Sequence, residues 1–585
     1  MFEAEQKAVD AKIRTFCAQQ GLPEPALAWT WIPFSGQWGI STSFFQLASQ
    51  EARSGKKVNV PQRAQELAQQ VAEFLGTPEG FVRLEAVKGY LNLYFSPAEY
   101  TAHVVDTVLR EAEAFGRGES KGQRVMVEFS QPNTHKAFHV GHLRNVILGG
   151  ATSNILETAG YEVVRANYIG DIGLHVIKWL WNYLKRHNGE EPGADRMRWM
   201  TDLYTEADRH YEDPGAEEEV RALFARWDRR DPDIVDLWKK SREWSLEGFA
   251  QIYEMLGVHF DHIYFESEVE DSGKEVVQKL IDMGIAEDGR PENPVFIKLD
   301  EKLGLKNEKY RVLVVLRSDG TSLYATKDLP LAIMKFEQYH LDRSIYVIDV
   351  RQSLYLQQIF MTLKLMGYPW ADKLYHLGYE IVNLPGNVTM SSRDGTVVLL
   401  DDLVREATRR AVEIVKVKNA DLSTDKQMEI GRAVALGAIK YSMLSRDNTK
   451  IVTFDWEAAL DFNGQAAPYI QYAYVRAGSI LRKAGQDLPD SLVPSHALEP
   501  AEIALIDLIS RLPNEVQRAA AEYKPMFMAN YAFELAKAFN DFYNVCPVLQ
   551  ADPAVRASRL RLVSAARQAL FNSLAILGIT APQAM

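Results

Sequence analysis

Two histidines three residues apart, His139 and His142, flank a glycine in "NTHKAFHVGHLRN" (133–145), with His135 and Lys136 just upstream. A pair at that spacing on a helix can converge on a metal ion. No acidic or cysteine third ligand stands nearby, and Lys136 would repel a cation, so the metal reading is weak. The plain alternative is two histidines with no chemical task. The surroundings argue against it: strand-like "RVMVEFS" (124–130), a Pro-Asn turn, then a helix start punctuated by Gly141. In an open α/β sheet that junction lies at the carboxyl edge of a strand, where ligands bind. A helix start there offers free N–H groups and positive potential to a phosphate. His139 and His142 would donate hydrogen bonds to phosphate oxygens and stabilise developing charge. Gly141 would let a flat base approach the backbone. These residues predict a nucleotide site without a glycine-rich phosphate loop.

The elements that must hold this site alternate along the chain. Strand-like runs at 161–170, 310–318 and 344–350 follow the first, separated by helical segments, which predicts a doubly wound, mostly parallel sheet. A charged, mostly helical insert spans about 190–300, too long for a structureless loop. Residues 1–100 mix helices with a strand-like "GYLNLYF", "GRGESKGQ" (116–123) reads as a linker, and the chain after "MSSRDGT" (390–396) is helical. A length of 585 residues predicts three or four domains. No apolar run reaches membrane-span length, and the charged N-terminus does not resemble a signal peptide. Cys17 and Cys546 stand alone, which argues against disulfides or a thiolate zinc site and fits a reducing compartment. The net charge of −12 is uneven: residues 1–100 carry 9 Lys/Arg against 10 Asp/Glu and residues 463–585 carry 11 against 10, so the excess acid lies between. An acidic total does not exclude a polyanion bound through local patches.

The wider string "VEFSQPNTHKAFHVGHLRNVILG" resembles the HIGH signature of class I aminoacyl-tRNA synthetases in the form found in arginyl-tRNA synthetases. "VTMSSRDGTVVLLDDL" is similar to that family's mobile ATP loop and occupies the expected place after the last sheet strand. The resemblance implies catalytic roles for His139, His142 and Lys136. It implies ATP contacts from Gly141, Met390, Ser391, Ser392, Arg393 and Gly395. Thr389 and Ser392 replace the lysines of the general class I motif, and Asp394 stands where this family usually has lysine. Lys136 is the implied compensation, reaching the phosphates in place of the loop.

A guanidinium presents a planar fork of donors that carboxylates match, so an arginine pocket needs a buried acid and a flanking aromatic. Tyr324 and Asp328 in "DGTSLYATKDLPLA" (319–332), four apart on one helical face, match the family's side-chain-recognising pair. Glu128, Asn133 and Gln352 match its other arginine-binding positions, Glu128 sharing the guanidinium and Asn133 taking the α-amino group. In "NYIGDIG" (167–173), similar to a family turn, Ile172 replaces a common Trp and Asp171 is a weaker candidate. "FNGQAAPYIQYAYVRAGSIL" (462–481) resembles the opening of the anticodon-binding domain, departing at Gln465, Ala466 and Tyr474. Tyr469 and Arg476 there, with Tyr472, Phe539, Tyr543 and Arg559, could stack on or pair with splayed bases, although most such aromatics in a bundle are core. Asn92 and Phe95 in "VKGYLNLYF" match elbow-contacting positions of the family's N-terminal domain.

The resemblance covers nearly the whole chain. It implies an α/β protein with a Rossmann-type class I catalytic domain containing a parallel sheet, an α+β N-terminal domain and an all-α anticodon-binding bundle. The expected divisions are 1–115, 116–400 with the insert, a helical stem at 401–455, and 456–585. The implied reaction is ATP-dependent attachment of L-arginine to tRNA(Arg) through arginyl-adenylate, with Mg²⁺ accompanying ATP and no protein-bound zinc. A cytoplasmic monomer without membrane contact is expected. The rival readings are a non-catalytic paralogue that binds tRNA or arginine, suggested by Asp394, and a small-molecule nucleotidyltransferase, which would leave the C-terminal helices unexplained.

Overall fold

The run "VMV" inside strand Arg124–Glu128 is wholly buried, as expected of a strand covered on both faces. It lies at the centre of a five-stranded parallel sheet ordered Leu374–Tyr379, Arg343–Asp349, Arg124–Glu128, Glu162–Ile169, His262–Phe265. Glu128 sits opposite Tyr346 on one side and Ala166 on the other. The strand order reverses between Arg124–Glu128 and Arg343–Asp349, and the crevice beyond the carboxyl ends at such a point is where ligands bind. Helix Val140–Thr158 follows the first strand, and helices Tyr324–Tyr339 and Ser353–Leu365 flank the fourth.

This computed structural model describes residues 3–53, 58–136, 138–384, 388–389, 400–485 and 488–585. They group into two compact units. One contains residues 116–475, 513–533 and 572–585, the other 1–115, 476–512 and 534–571. No helix among the described residues is long and apolar enough to cross a membrane.

Two sequence expectations are corrected in the first unit. The apolar run at 310–318 does form a strand, Val312–Leu316, but it pairs antiparallel with Val295–Lys298 in a separate small sheet. Its alternation explains why: Val312 and Val314 face solvent while Leu313 and Val315 are buried, the pattern of a one-sided antiparallel sheet. The insert, expected to be mostly helical, also contains strand His262–Phe265, an edge strand of the parallel sheet too short to stand out by composition. Its helices Arg196–His210, Ala216–Asp228 and Pro232–Leu256 bury Trp227, Trp238 and Trp244 in one cluster with Trp179, and Ile172 packs in the same cluster.

In the second unit, strands Thr30–Trp31, Gly39–Ser43, Tyr90–Phe95 and Phe81–Val87 form an antiparallel sheet in that spatial order. Helix Val60–Leu75 begins with Asn59 capping the Gln62 N–H and a proline in its first turn. It buries Ala64, Leu67, Ala68, Val71 and Leu75.

Candidate active site

His139 caps helix Val140–Thr158. Its Nδ1 accepts from the Gly141 N–H at 3.1 Å, while His142 Nδ1 accepts from the His139 N–H at 3.3 Å. The two rings stack with centroids 4.0 Å apart. Burial pushes both pKa values down, His142 well below the usual range; Arg351 and Lys136 add to this for His139, and His139 and Lys136 for His142. Both imidazoles are therefore neutral near pH 7. With Nδ1 accepting, each carries its proton on Nε2 as a hydrogen-bond donor. Gly141 has a local reason: a Cβ there would meet the His139 ring at 2.9 Å. His135 points away, its ring bonded to Thr134 and Ser241 at 2.9 and 2.8 Å.

The loop between strand and helix is strained. Ser130, Gln131 and His135 have φ of 78°, 44° and 62°, a region unfavourable to side chains. Asn145 Oδ1 holds the Ser130 N–H at 2.5 Å and Asn167 Oδ1 holds that of Gln131 at 3.1 Å. Gly170 is required by close approach, since a Cβ would lie 2.2 Å from Asn133 Oδ1. Buried Arg144 donates to the carbonyls of Glu380, Ile381, Asn448 and Lys450, tying this helix to the segment after the last strand. Asp171 is a buried clamp, ion-paired to Arg242 at 2.9 Å and accepting from both N–H and hydroxyl of Ser267.

A cavity of about 470 Å³ opens at the strand reversal, and Glu128, Asn133, His142, Tyr324, Asp328 and Gln352 all line it. The geometry thus brings one signature histidine together with every expected arginine contact. Tyr324 stands at the mouth, 73% exposed. Asp328 lies in the wall, where Tyr355 donates to its Oδ2 at 2.5 Å and desolvation pushes its pKa up to about 7. Glu128, expected to share the guanidinium, lines the cavity with both oxygens already in hydrogen bonds. One oxygen is taken by the Lys335 ammonium and the other accepts from Gln131 at 3.1 Å. The wall holds two further acids, Glu266 paired with Lys327 at 2.8 Å and Asp349 paired with Arg351 at 2.8 Å.

Lys136 lines a neighbouring cavity of about 930 Å³ whose wall carries Lys178, Lys274, Arg317 and Lys327. Its ammonium stands 5.6 Å from the centre of the Tyr204 ring, and burial lowers its pKa, with Asp208 opposing and Lys178 adding to the effect. Asn133, Glu266 and Tyr324 line both cavities. Met390, Ser391, Ser392, Arg393, Asp394 and Gly395 lie outside the described residues.

Among the expected tRNA contacts, Asn92 is half-buried and accepts from Ser41 Oγ at 2.7 Å. Phe95 is core, stacked on Phe81 with centroids 4.7 Å apart. Tyr469 rests against Phe533. Arg476 bonds Asn540 at 2.8 Å and lies 5.2 Å from the ring centre of Tyr543, which is exposed. Phe539 is fully buried, and buried Arg559 pairs with Glu502 at 3.0 Å. Sequence reasoning missed Tyr355, Glu266 and Lys335. Only Lys335 carried a local signal: it shares with Tyr324 and Asp328 one stripe of helix Tyr324–Tyr339.

Residues 104–456 match the family described as tRNA synthetases class I (R), catalytic domain, and residues 470–585 match the DALR anticodon binding domain. Arginine–tRNA ligase of Treponema pallidum subsp. pallidum is 35% identical over 524 residues, covering 86% of this chain and 87% of that protein. Its counterpart in Bdellovibrio bacteriovorus is 35% identical over 512 residues, covering 85% and 86%. The solved arginyl-tRNA synthetase of Thermus thermophilus superposes with a TM-score of 0.75 at 29% identity, covering 99% of this chain and 100% of that one.

Proposed function

The chain belongs to the class I arginyl-tRNA synthetase family and attaches arginine to tRNA in an ATP-dependent reaction, and we propose how its residues divide that work. L-Arginine enters the 470 Å³ cavity with its guanidinium toward Asp328 and Tyr324 and its α-amino group toward Asn133, with Gln352 a further contact to the amino acid. One observation carries this reading. Of the four carboxylates in that wall, Asp328 is the one with no cation bonded to it among the described residues, so an incoming guanidinium completes the set.

The α-carboxylate of arginine then attacks the α-phosphate of ATP, forming arginyl-adenylate and releasing pyrophosphate. His139 and His142 donate from Nε2 to the phosphates, and Lys136 adds a cation from the neighbouring cavity. Gly141, with Met390, Ser391, Ser392, Arg393 and Gly395 from outside the described residues, supplies the remaining ATP contacts of this reading. The His139, His142 and Lys136 set consists of N–H donors rather than oxygen ligands, so Mg²⁺ accompanies the triphosphate and neutralises charge there. The arginyl group passes to the 3′ end of tRNA(Arg), which Asn92, Tyr469 and Arg476 help to hold. The working form is a cytoplasmic monomer; the reducing compartment is supported by Cys17 and Cys546, both buried as free thiols. Transfer of labelled arginine to a total tRNA pool, with ATP and Mg²⁺, tests the reading. Charging is expected, and a folded protein that forms no arginyl-tRNA would overturn it.

A further inference from the structure

We propose that Lys335 is a specificity-determining positioning residue: by engaging Glu128, it leaves Asp328 as the one wall carboxylate with no cation bonded to it among the described residues, open to a cationic side chain. The inference rests on the arginine reading of the cavity.

Lys335 is fully buried and does not line the cavity. Its ammonium bonds Glu128 and stands 4.6 Å from the centre of the Tyr346 ring. A buried ammonium is strongly unfavourable unless paired, so Glu128 is held in place as firmly as Lys335. Glu128 is visible to a ligand, yet both its oxygens are engaged and its charge is balanced. The Lys335–Glu128 pair is therefore electrically quiet, and the pocket presents one free negative charge to a ligand with one positive charge.

The groups facing Asp328 can be given element by element. Tyr355 comes from helix Ser353–Leu365, Glu128 from the first strand, Tyr346 from the fourth and Tyr168 from the second. Glu266, itself held by Lys327, comes from the turn after the third strand, and Tyr324 and Lys335 from Asp328's own helix. Without Lys335, Glu128 becomes a second unbalanced carboxylate beside Asp328. Two such groups share a proton to higher pH than either would alone. Arginine would then have to displace that proton before it could bind.

The test measures arginine KM and kcat in tRNA charging from pH 6 to 9. For Lys335→Met we expect KM at pH 7 to rise roughly tenfold and to converge on wild type near the alkaline end, with kcat nearly unchanged. Lys335→Arg, which keeps the charge, should retain the wild-type profile, and Lys335→Met with Glu128→Gln should return the pH dependence of KM to that of wild type, whatever Glu128 adds to its absolute value. Glu128→Gln alone leaves the Lys335 charge facing Asp328 and should move the profile toward lower pH, which keeps the idea testable if Lys335→Met does not fold. Profiles that coincide with wild type, or a KM loss equal at every pH, would overturn the role of Lys335. If wild type itself shows no arginine-dependent charging, the arginine reading has failed instead.

Discussion

The Asp328 cavity and the Lys136 cavity share Asn133, Glu266 and Tyr324 in their walls but differ in charge. In the first, among the described residues, four carboxylates reduce to one unbalanced group because Lys335, Lys327 and Arg351 neutralise the others. In the second, Lys136, Lys178, Lys274, Arg317 and Lys327 stand among Asp228, Glu266, Glu270 and Asp319, with Lys327 paired to Glu266 and Lys178 to Asp208, so the wall mixes both signs. Counting acids and bases would describe the first as strongly acidic, whereas pairing makes it a site for a single cation. Lys136 brings a cation to the second, and His142 lines the first as a neutral donor rather than as a charge.

Breaking the first cavity should have the largest effect. Asp328→Asn removes its one free charge and should raise the arginine KM about a hundredfold while leaving tRNA affinity nearly unchanged. Steady-state charging with arginine as the varied substrate checks this, and near-wild-type kinetics would remove Asp328 from the pocket. His142→Ala removes a neutral donor from the wall of the first cavity. It should lower kcat by roughly a hundredfold with a smaller change in arginine KM, as read in arginine-dependent exchange of pyrophosphate into ATP with tRNA present. Lys136→Met touches the second cavity alone. It should lower the same exchange rate about tenfold and leave arginine KM unmoved. A change in arginine KM there would show that the two cavities are not separable. The smallest effect belongs to Arg476→Ala, whose partly exposed contacts with Asn540 and Tyr543 should weaken tRNA binding by about threefold in a filter-binding titration.

Much of this comparison was legible in the sequence where geometry is local. His139, Gly141 and His142 are fixed by one helix turn, and Tyr324 and Asp328 by the next spacing on another, so residue type and interval already implied their convergence. What could not be read were partners arriving from distant segments. Tyr355 reaches Asp328 from another helix, and Lys335 claims Glu128 across from the central strand, which changes the role of Glu128 itself. The run at 310–318 was apolar enough for a parallel strand, but its pairing with Val295–Lys298 was decided by tertiary contacts. Phe95, Phe539 and Arg559 show the same limit from the other side, since an aromatic or a base suited to RNA is equally suited to a core.

The most direct test of the central claim is the arginine KM of the wild-type protein as a function of pH. Asp328, pushed up to about 7 in the empty cavity, is protonated and neutral below that pH and pairs with a guanidinium only once ionised. Arginine KM should therefore fall about tenfold for each unit from pH 5 toward 7 and level off above it. A KM that stays flat across that window would contradict the assignment of Asp328 as the free charge that receives arginine.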